Sequence, residues 1–181
     1  MKIGILNYNV GNLFSIKKIL LKNNVTIIEV NKDKDFAKCD KLILPGQGSF
    51  DYAMNYINKN ELTTKLLEFI RSGKFVLGIC LGMQLLLKSS EESQNVEGLN
   101  FIEGEVLKFN SNLISPNINW LKIENNKEDS FQFNKLKQKK YYYFAHSYYC
   151  SFFKNYKMSY SYYNNFKFTS LIQVDNVIGT Q

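Results

Sequence analysis

The first 80 residues alternate short apolar runs with amphipathic segments, and this alternation restricts the fold more than any other feature of the sequence. The apolar runs predict buried strands at Lys2–Asn7, Val25–Val30, Lys41–Leu44 and Phe75–Ile79. Strands that alternate with helices are normally parallel and are joined by crossover helices. The sequence therefore predicts an α/β domain with a central, mostly parallel sheet flanked by helices.

Helical spacing of apolar residues marks the segments between these strands. Leu13–Lys22 is predicted as a helix and Asp33–Lys38 as a short helical turn. Asn60 is a plausible N-cap for a helix that ends at Gly73. The apolar stripe of that helix comprises Leu62, Leu66, Leu67 and Ile70.

The second half of the chain is predicted to contain mixed or antiparallel strands rather than further helices. Its strand-like runs are Glu105–Phe109, Trp120–Ile123, Tyr141–Ala145, Ser147–Phe153 and Lys167–Val174. The polar stretches 110–119 and 125–130 are predicted to be loops. Because there is no internal repeat and no long linker, residues 1–181 are expected to form a single domain.

Composition excludes several broad classes of protein. A chain that is 45% hydrophobic and 22% charged is typical of a globular protein and not of a disordered one. No apolar run approaches the roughly 18 residues of a membrane span, and the start lacks the features of a signal peptide. Three widely spaced cysteines indicate neither a disulfide framework nor a zinc motif. We therefore expect a soluble cytoplasmic protein without a metal or cofactor.

The net charge of +7 raises the question of nucleic-acid binding. Arg71 is the only arginine, although arginine is the residue favoured for reading bases and clamping phosphates. The densest basic run, Lys135–Lys140, precedes the aromatic run Tyr141–Phe144. These two runs could form a platform for single-stranded nucleic acid, or a solvated helix end that leads into a buried strand. The second interpretation is favoured, and no nucleic-acid partner is predicted.

Cys80 is the strongest candidate for a catalytic residue. It lies in the sequence Gly78-Ile79-Cys80-Leu81-Gly82, between a predicted strand and an apolar run. A G-x-C-x-G at such a junction is the thiol counterpart of the nucleophile elbow, in which a tight turn exposes the nucleophile. The positive end of the following helix would favour the thiolate, and backbone N–H groups there could bind an oxyanion. A buried, inert cysteine is the alternative.

Two further loops are expected at the same edge of the sheet as Cys80. The glycine turn Pro45–Phe50 follows the strand Lys41–Leu44, and its N–H groups could complete an oxyanion hole. It could equally be an ordinary strand-to-helix turn. The loop Asn7–Asn12 contains one glycine only and does not match a dinucleotide-binding fingerprint.

Taken together, these motifs resemble those of the class I, triad-type glutamine amidotransferases. The matching segments are PGQGSF and, some thirty residues later, GICLGMQLL. Within that class, KIGILNYNVGNLFSI, SSEE, EGLNFIEGEV and YYFAHSYY resemble the glutaminase subunits of imidazole glycerol phosphate synthase. The resemblance implies a flavodoxin-like fold and hydrolysis of glutamine through a cysteinyl thioester. It also implies that ammonia passes to a (β/α)8 cyclase subunit that makes imidazole glycerol phosphate and AICAR in histidine biosynthesis.

The resemblance assigns roles to individual residues. Cys80 matches the nucleophile, and Asn12 and Trp120 match positions at the interface with the synthase subunit. Residues that match the glutamine site are Gly46, Gln47, Gly48, Leu81, Gln84, Ser147 and Tyr148. His146, the only histidine, is not at the triad position, and its expected role is to orient the strand beside the glutamine site.

The sequence departs from the family pattern at three places. Gln47 replaces the usual valine of the oxyanion loop, and Pro116–Leu121 keeps only Pro and Trp of the pattern P-H-M-G-W-N. After Gln181 the family pattern would continue with F-H-P-E, which holds the catalytic base and its orienter. The domain is therefore expected to be cut short before this segment, and low turnover is expected of these 181 residues.

Two other functions remain open at this point. The departures around Asn117 and Asn119 allow a glutaminase that supplies ammonia to a surface-sugar amidotransferase. A non-catalytic subunit that only binds the synthase is also compatible with the sequence.

Overall fold

The computed structural model describes residues 1–93, 95–125 and 141–181, so the basic run Lys135–Lys140 and residues 126–130 of the predicted loop lie outside the described residues. The helices are α1 Leu13–Leu21, α2 Asp33–Phe36, α3 Phe50–Lys59, α4 Leu62–Arg71 and α5 Leu81–Gln84. The strands are β1 Lys2–Leu6, β2 Thr26–Val30, β3 Lys41–Leu44, β4 Val76–Ile79, β5 Ser89–Ser90, β6 Gly104–Lys108, β7 Asn117–Lys122, β8 Glu124–Asn125, β9 Tyr141–His146, β10 Tyr148–Phe152, β11 Lys157–Tyr163, β12 Phe166–Val174 and β13 Val177–Thr180.

The main sheet has a parallel half and an antiparallel half. Its strand order within the described residues is β2-β1-β3-β4-β13-β12-β11-β8. The first five strands pair in parallel, and the last three pair antiparallel to their neighbours. The order of the parallel half is the 2-1-3-4-5 order of flavodoxin-like folds. The predicted fold class, including the antiparallel strands of the second half, is therefore confirmed.

The two central helices cover the sheet with amphipathic faces. The buried face of α3 consists of Phe50, Ala53, Met54 and Ile57, and that of α4 consists of Leu62, Leu66, Phe69 and Ile70. Both helices pack on the main hydrophobic cluster around β3 and β4. In contrast, α1 has no buried residue, and the side chain of Phe14 is 74% exposed. Among the described residues, no helix combines the length and apolar character that crossing a membrane requires.

Two small sheets lie beside the main one. Strand β10 pairs with β6, which pairs in parallel with β5, and β7 pairs with β9 in an antiparallel ladder. Ser147 lies between β9 and β10, where the chain passes from one small sheet to the other. This crossing point carries His146, Ser147 and Tyr148 to the mouth of the site described below.

Several predicted element boundaries were wrong. Asn60 is the C-cap of α3, and Glu61, with φ of 56°, is the N-cap of α4. The strand β7 begins at Asn117, inside the stretch 110–119 that was predicted to be a loop. Helix α3 and strand β11 have no counterpart in the sequence prediction, although the buried residues of α3 follow the helical spacing i, i+3, i+4, i+7.

Candidate active site

Cys80 lies at the sharp turn between β4 and α5. Its φ of 46° and ψ of −103° lie outside the regions that L-residues normally occupy. The Cys80 N–H donates to the Thr180 carbonyl at 2.6 Å, and the Cys80 carbonyl accepts from the N–H groups of Met83 and Gln84 at 3.0 Å each. These three bonds fix the unusual backbone conformation, as the predicted nucleophile elbow requires.

The turn needs glycine on both sides of the cysteine. A Cβ on Gly78 would lie 2.6 Å from the Gly82 carbonyl oxygen, and one on Gly82 would lie 2.1 Å from the Leu44 carbonyl oxygen. Any side chain at either position would therefore push α5 away from β3 and β4. The spacing G-x-C-x-G follows from this close approach of backbones.

The glycine loop after β3 lies against the elbow. The Leu81 N–H, which follows the nucleophile, donates a long hydrogen bond of 3.4 Å to the Gly46 carbonyl. The buried Tyr8 hydroxyl donates to the Pro45 carbonyl and so ties the Asn7–Asn12 loop to this one. Gly48 has φ of +122°, a conformation that favours glycine. The three loops predicted at one sheet edge thus meet there.

One cavity of about 270 Å³ contains all the predicted catalytic and substrate-binding residues. Its lining comprises Gly46, Gln47, Gly48, Cys80, Leu81, Gln84, Glu92, Pro116, Ala145, His146, Ser147 and Tyr148. A free amino acid fits within this volume. The individual roles of these residues stay predictions, but the residues share one site.

The thiol of Cys80 is not pre-ionised in this state. Burial raises the pKa of the Cys80 thiol, hydrogen bonds from the Leu81 N–H and the Gln181 amide oppose this rise, and the Glu92 carboxylate adds to it. Helix α5 has only four residues. The Leu81 N–H at the start of α5 favours the thiolate, but burial has the larger effect on the pKa of Cys80.

His146 is held as a neutral imidazole. Its Nδ1–H donates to the Tyr148 carbonyl at 2.7 Å, and its Nε2 accepts from the Asn117 amide at 3.0 Å. Asn119 in turn donates to Asn117 at 2.9 Å. Burial lowers the pKa of His146 to about 4, although the Tyr148 carbonyl works against that shift. Since both ring nitrogens are engaged away from Cys80, His146 is not placed to act as its base.

Two polar residues of the site were not assigned roles by the sequence. Glu92 borders the cavity, and its carboxylate accepts from the Phe50 N–H at 3.0 Å. The side-chain amide of Gln181 donates to the Cys80 sulfur at 3.1 Å. The acidic pair in SSEE was the available signal for Glu92. Gln181 had no local signal, because only the parallel pairing of β13 with β4 brings it to Cys80.

Asn12 and Trp120, the predicted interface residues, lie outside this cavity. Asn12 is the N-cap of α1 and borders a second cavity of about 300 Å³ that also reaches Cys80. Tyr143 borders the same cavity. The Trp120 ring packs against the Tyr143 ring, with 5.5 Å between the ring centroids. Trp120 is 65% exposed and Tyr143 is 56% exposed. Both cysteines without a predicted role, Cys39 and Cys150, are buried.

In the described part of the chain, no group of three His, Cys, Asp or Glu side chains is arranged to hold a metal ion. The cavity around Cys80 offers a thiol, backbone N–H groups and the Glu92 carboxylate, which can pair with an ammonium group.

A strained cysteine facing a glycine loop, at the carboxyl edge of a 2-1-3-4-5 sheet, is the arrangement that the resemblance to class I glutamine amidotransferases implies. A family model for CobB/CobQ-like glutamine amidotransferase domains matches residues 2–130. A solved glutamine amidotransferase has the same fold, with a TM-score of 0.71 at 15% identity over 98% of this chain and 87% of that chain.

Closer relatives narrow the class. Imidazole glycerol phosphate synthase subunit HisH from Sulfurimonas denitrificans is 37% identical over 186 residues, which cover 99% of this chain and 88% of the relative. The HisH subunit from Methanocaldococcus jannaschii is also 37% identical, over 179 residues that cover 99% and 89%. The chain belongs to the HisH family of imidazole glycerol phosphate synthase subunits.

Proposed function

We propose that this chain is the glutaminase subunit of an imidazole glycerol phosphate synthase, acting in the cytoplasm in histidine biosynthesis. It hydrolyses glutamine to glutamate and ammonia and supplies the ammonia to a (β/α)8 cyclase subunit. One observation carries this proposal: every residue predicted to bind or attack glutamine lines the same cavity around Cys80.

The chemistry begins with attack of the Cys80 sulfur on the side-chain carboxamide carbon of glutamine. A carbon–sulfur bond forms, the carbonyl oxygen becomes an oxyanion, and the carbon–nitrogen bond then breaks as the nitrogen takes a proton and leaves as ammonia. Water hydrolyses the thioester to glutamate and restores the thiol. The candidate donors for the oxyanion are the backbone N–H groups of the loop Gly46–Gly48 and the N–H of Leu81, the last only after its long hydrogen bond to the Gly46 carbonyl opens.

The remaining polar groups suit the amino-acid end of glutamine. The Glu92 carboxylate borders the cavity and can pair with the α-ammonium group. Ser147 and Tyr148 border the same space from the β9–β10 crossing. A free amino acid with an uncharged amide side chain therefore fits the charge pattern of the cavity.

Among the described residues, no histidine is placed to act as the general base for Cys80. The sequence contains one histidine, and the hydrogen bonds of His146 commit both of its ring nitrogens. Residues 1–181 alone are therefore expected to turn over glutamine at least about 100-fold more slowly than a chain extended by the family's Phe-His-Pro-Glu, in line with the usual contribution of a general base.

The test compares glutamate release by residues 1–181, by the extended chain and by the extended Cys80→Ser variant, each with a cyclase-type subunit present. We expect turnover by the extended chain and none by the serine variant. The proposal is wrong if the serine variant releases glutamate as fast as its parent, because the reaction would not then pass through Cys80.

A further inference from the structure

The side chain of Gln181 makes a contact with the nucleophile that the proposed chemistry does not yet use. Gln181 follows β13, and its backbone N–H donates to the Ser170 carbonyl of the neighbouring strand at 3.0 Å. This anchor holds the side chain next to Cys80, and its Nε2 donates to the Cys80 sulfur at 3.1 Å.

A second amide determines which end of the Gln181 carboxamide faces the sulfur. The Gln84 Nε2 donates to the Gln181 Oε1 at 3.5 Å and to the Tyr148 carbonyl at 3.5 Å. A backbone carbonyl can only accept, so it fixes the NH₂ group of Gln84 on that side. Both contacts are long for N–H···O hydrogen bonds, so they favour rather than fix the arrangement in which the Oε1 of Gln181 faces Gln84 and its NH₂ group faces Cys80.

The Tyr148 carbonyl, which accepts from Gln84 at the start of this series of hydrogen bonds, is itself held in place. It also accepts the Nδ1–H of His146 at 2.7 Å, and the other ring nitrogen of His146 is bound by Asn117. The orientation of the donor on Cys80 is thus set by a connected series of hydrogen bonds that begins on β7.

We infer that Gln181 is a positioning residue for Cys80: its carboxamide, oriented by Gln84, donates a hydrogen bond that directs the sulfur and stabilises its thiolate form. The inference rests on the proposed role of Cys80 as the nucleophile. Its physical basis is that an N–H donor favours the charged form of an acceptor, and here it acts against burial and against Glu92.

The experiment measures the rate of Cys80 alkylation by iodoacetamide between pH 6 and 11, with mass-spectrometric mapping to separate Cys80 from the buried Cys39 and Cys150. The Gln181→Met variant keeps the length of the side chain and removes the donor. We expect the apparent pKa of Cys80 to rise and the rate at pH 7 to fall at least about tenfold, as for loss of one hydrogen bond to a charged group. The plateau rate at high pH should stay the same.

Two controls separate positioning from a general structural effect. Gln173→Met makes the same chemical change on β12, where the Gln173 amide binds the Asp175 carbonyl, and should leave the profile unchanged. Gln84→Met should raise the pKa of Cys80 in the parent chain but have little further effect in Gln181→Met, because Gln84 acts through Gln181.

The inference is overturned if Gln181→Met has the parent's alkylation profile, or if Gln84→Met and Gln181→Met shift the pKa by amounts that simply add. Faster labelling of Cys39 or Cys150 than of Cys80 would also contradict the statement that Cys80 is the reactive thiol. Failure of the proposed glutaminase function would instead appear as absent turnover in the extended chain, with the alkylation shifts unaffected.

Discussion

At the scale of single residues, the site contains polar groups whose protonation is set by burial. His146 is 6% exposed and is surrounded by Phe109, Phe144 and Phe168, with ring centroids between 5.0 and 5.9 Å away. An imidazolium in this aromatic setting would be poorly solvated, and it would also lose the hydrogen bond that Nε2 accepts from Asn117. The residue therefore stabilises the fold only in its neutral form.

The low pKa of His146 predicts a specific dependence of stability on pH. The pKa is about 4 in the folded chain against 6.5 as the ordinary value, so the unfolded chain binds more protons between these limits. The contribution of His146 is thus fully present above pH 6.5 and is lost as the pH falls towards 4. The loss is at most about 3 kcal/mol.

Urea unfolding of the parent and of His146→Gln at pH 7, 6, 5 and 4 measures this contribution. The glutamine side chain keeps a donor and an acceptor but does not titrate. The unfolding free energy of His146→Gln should therefore fall less steeply than that of the parent as the pH falls from 7 to 4. Parallel pH profiles for the two proteins would contradict the neutral, buried state of His146.

At the scale of secondary-structure elements, the β4–α5 turn is the most demanding part of the fold. Gly82 touches the backbone of β3, whereas Gly73, after α4, has φ of +80° and open space around its Cα. The two glycines therefore have different reasons for their lack of a side chain. At Gly82 the reason is space, and at Gly73 it is backbone conformation alone.

We expect Gly82→Ala to lower the unfolding free energy by at least about 3 kcal/mol, because its Cβ would overlap a carbonyl of the central sheet. Gly73→Ala should cost only about 1–2 kcal/mol, the usual penalty for a left-handed alanine. Denaturant midpoints of the two variants provide the comparison. Equal losses in both would show that α5 does not pack on β3 as closely as described.

At the scale of the whole molecule, one face of the protein exposes large apolar side chains beside the second cavity of Cys80. Trp120 and Tyr143 form a ring pair there, and Asn12 lies on the cavity's border. In the subunit alone, the Leu81 N–H is occupied by the Gly46 carbonyl. A partner bound over this face could release that donor for the oxyanion, which would couple docking to turnover.

Trp120→Ala is expected to weaken binding of a cyclase-type subunit about tenfold to 100-fold, as is typical of a central aromatic anchor. In the extended chain, the partner should raise the glutaminase rate at least about tenfold, and saturating partner should restore this rate in Trp120→Ala. Calorimetric titration and glutamate release measure the two effects.

Phe153→Ala is the matched control, because Phe153 is 64% exposed and borders neither cavity of Cys80. If neither Trp120→Ala nor Phe153→Ala changes the affinity for the partner, the interface does not include Trp120. If the glutaminase rate is the same with and without the partner, docking and turnover are not coupled. The variant Gln47→Val reports whether the altered residue of the oxyanion loop affects that coupling.

The sequence by itself determined four of the five parallel strands and the position of the strained cysteine. Apolar runs such as Lys41–Leu44 are buried on both faces of a sheet, and their period and length are sufficient to identify them; this strand has the predicted bounds. The motif around Cys80 could also be recognised from the sequence, because close backbone contacts require glycine at positions 78 and 82.

Only the tertiary structure decided how distant residues complete the site. Asn117 and His146 are 29 positions apart, and Gln181 and Cys80 are 101 apart, yet each pair is joined by a hydrogen bond. No local pattern encodes these contacts, because they depend on which strands become neighbours in the sheets. For the same reason the pKa of the Cys80 thiol could not be foreseen: the sequence indicated a helix end that favours the charged thiolate, whereas the folded protein buries the sulfur beside Glu92.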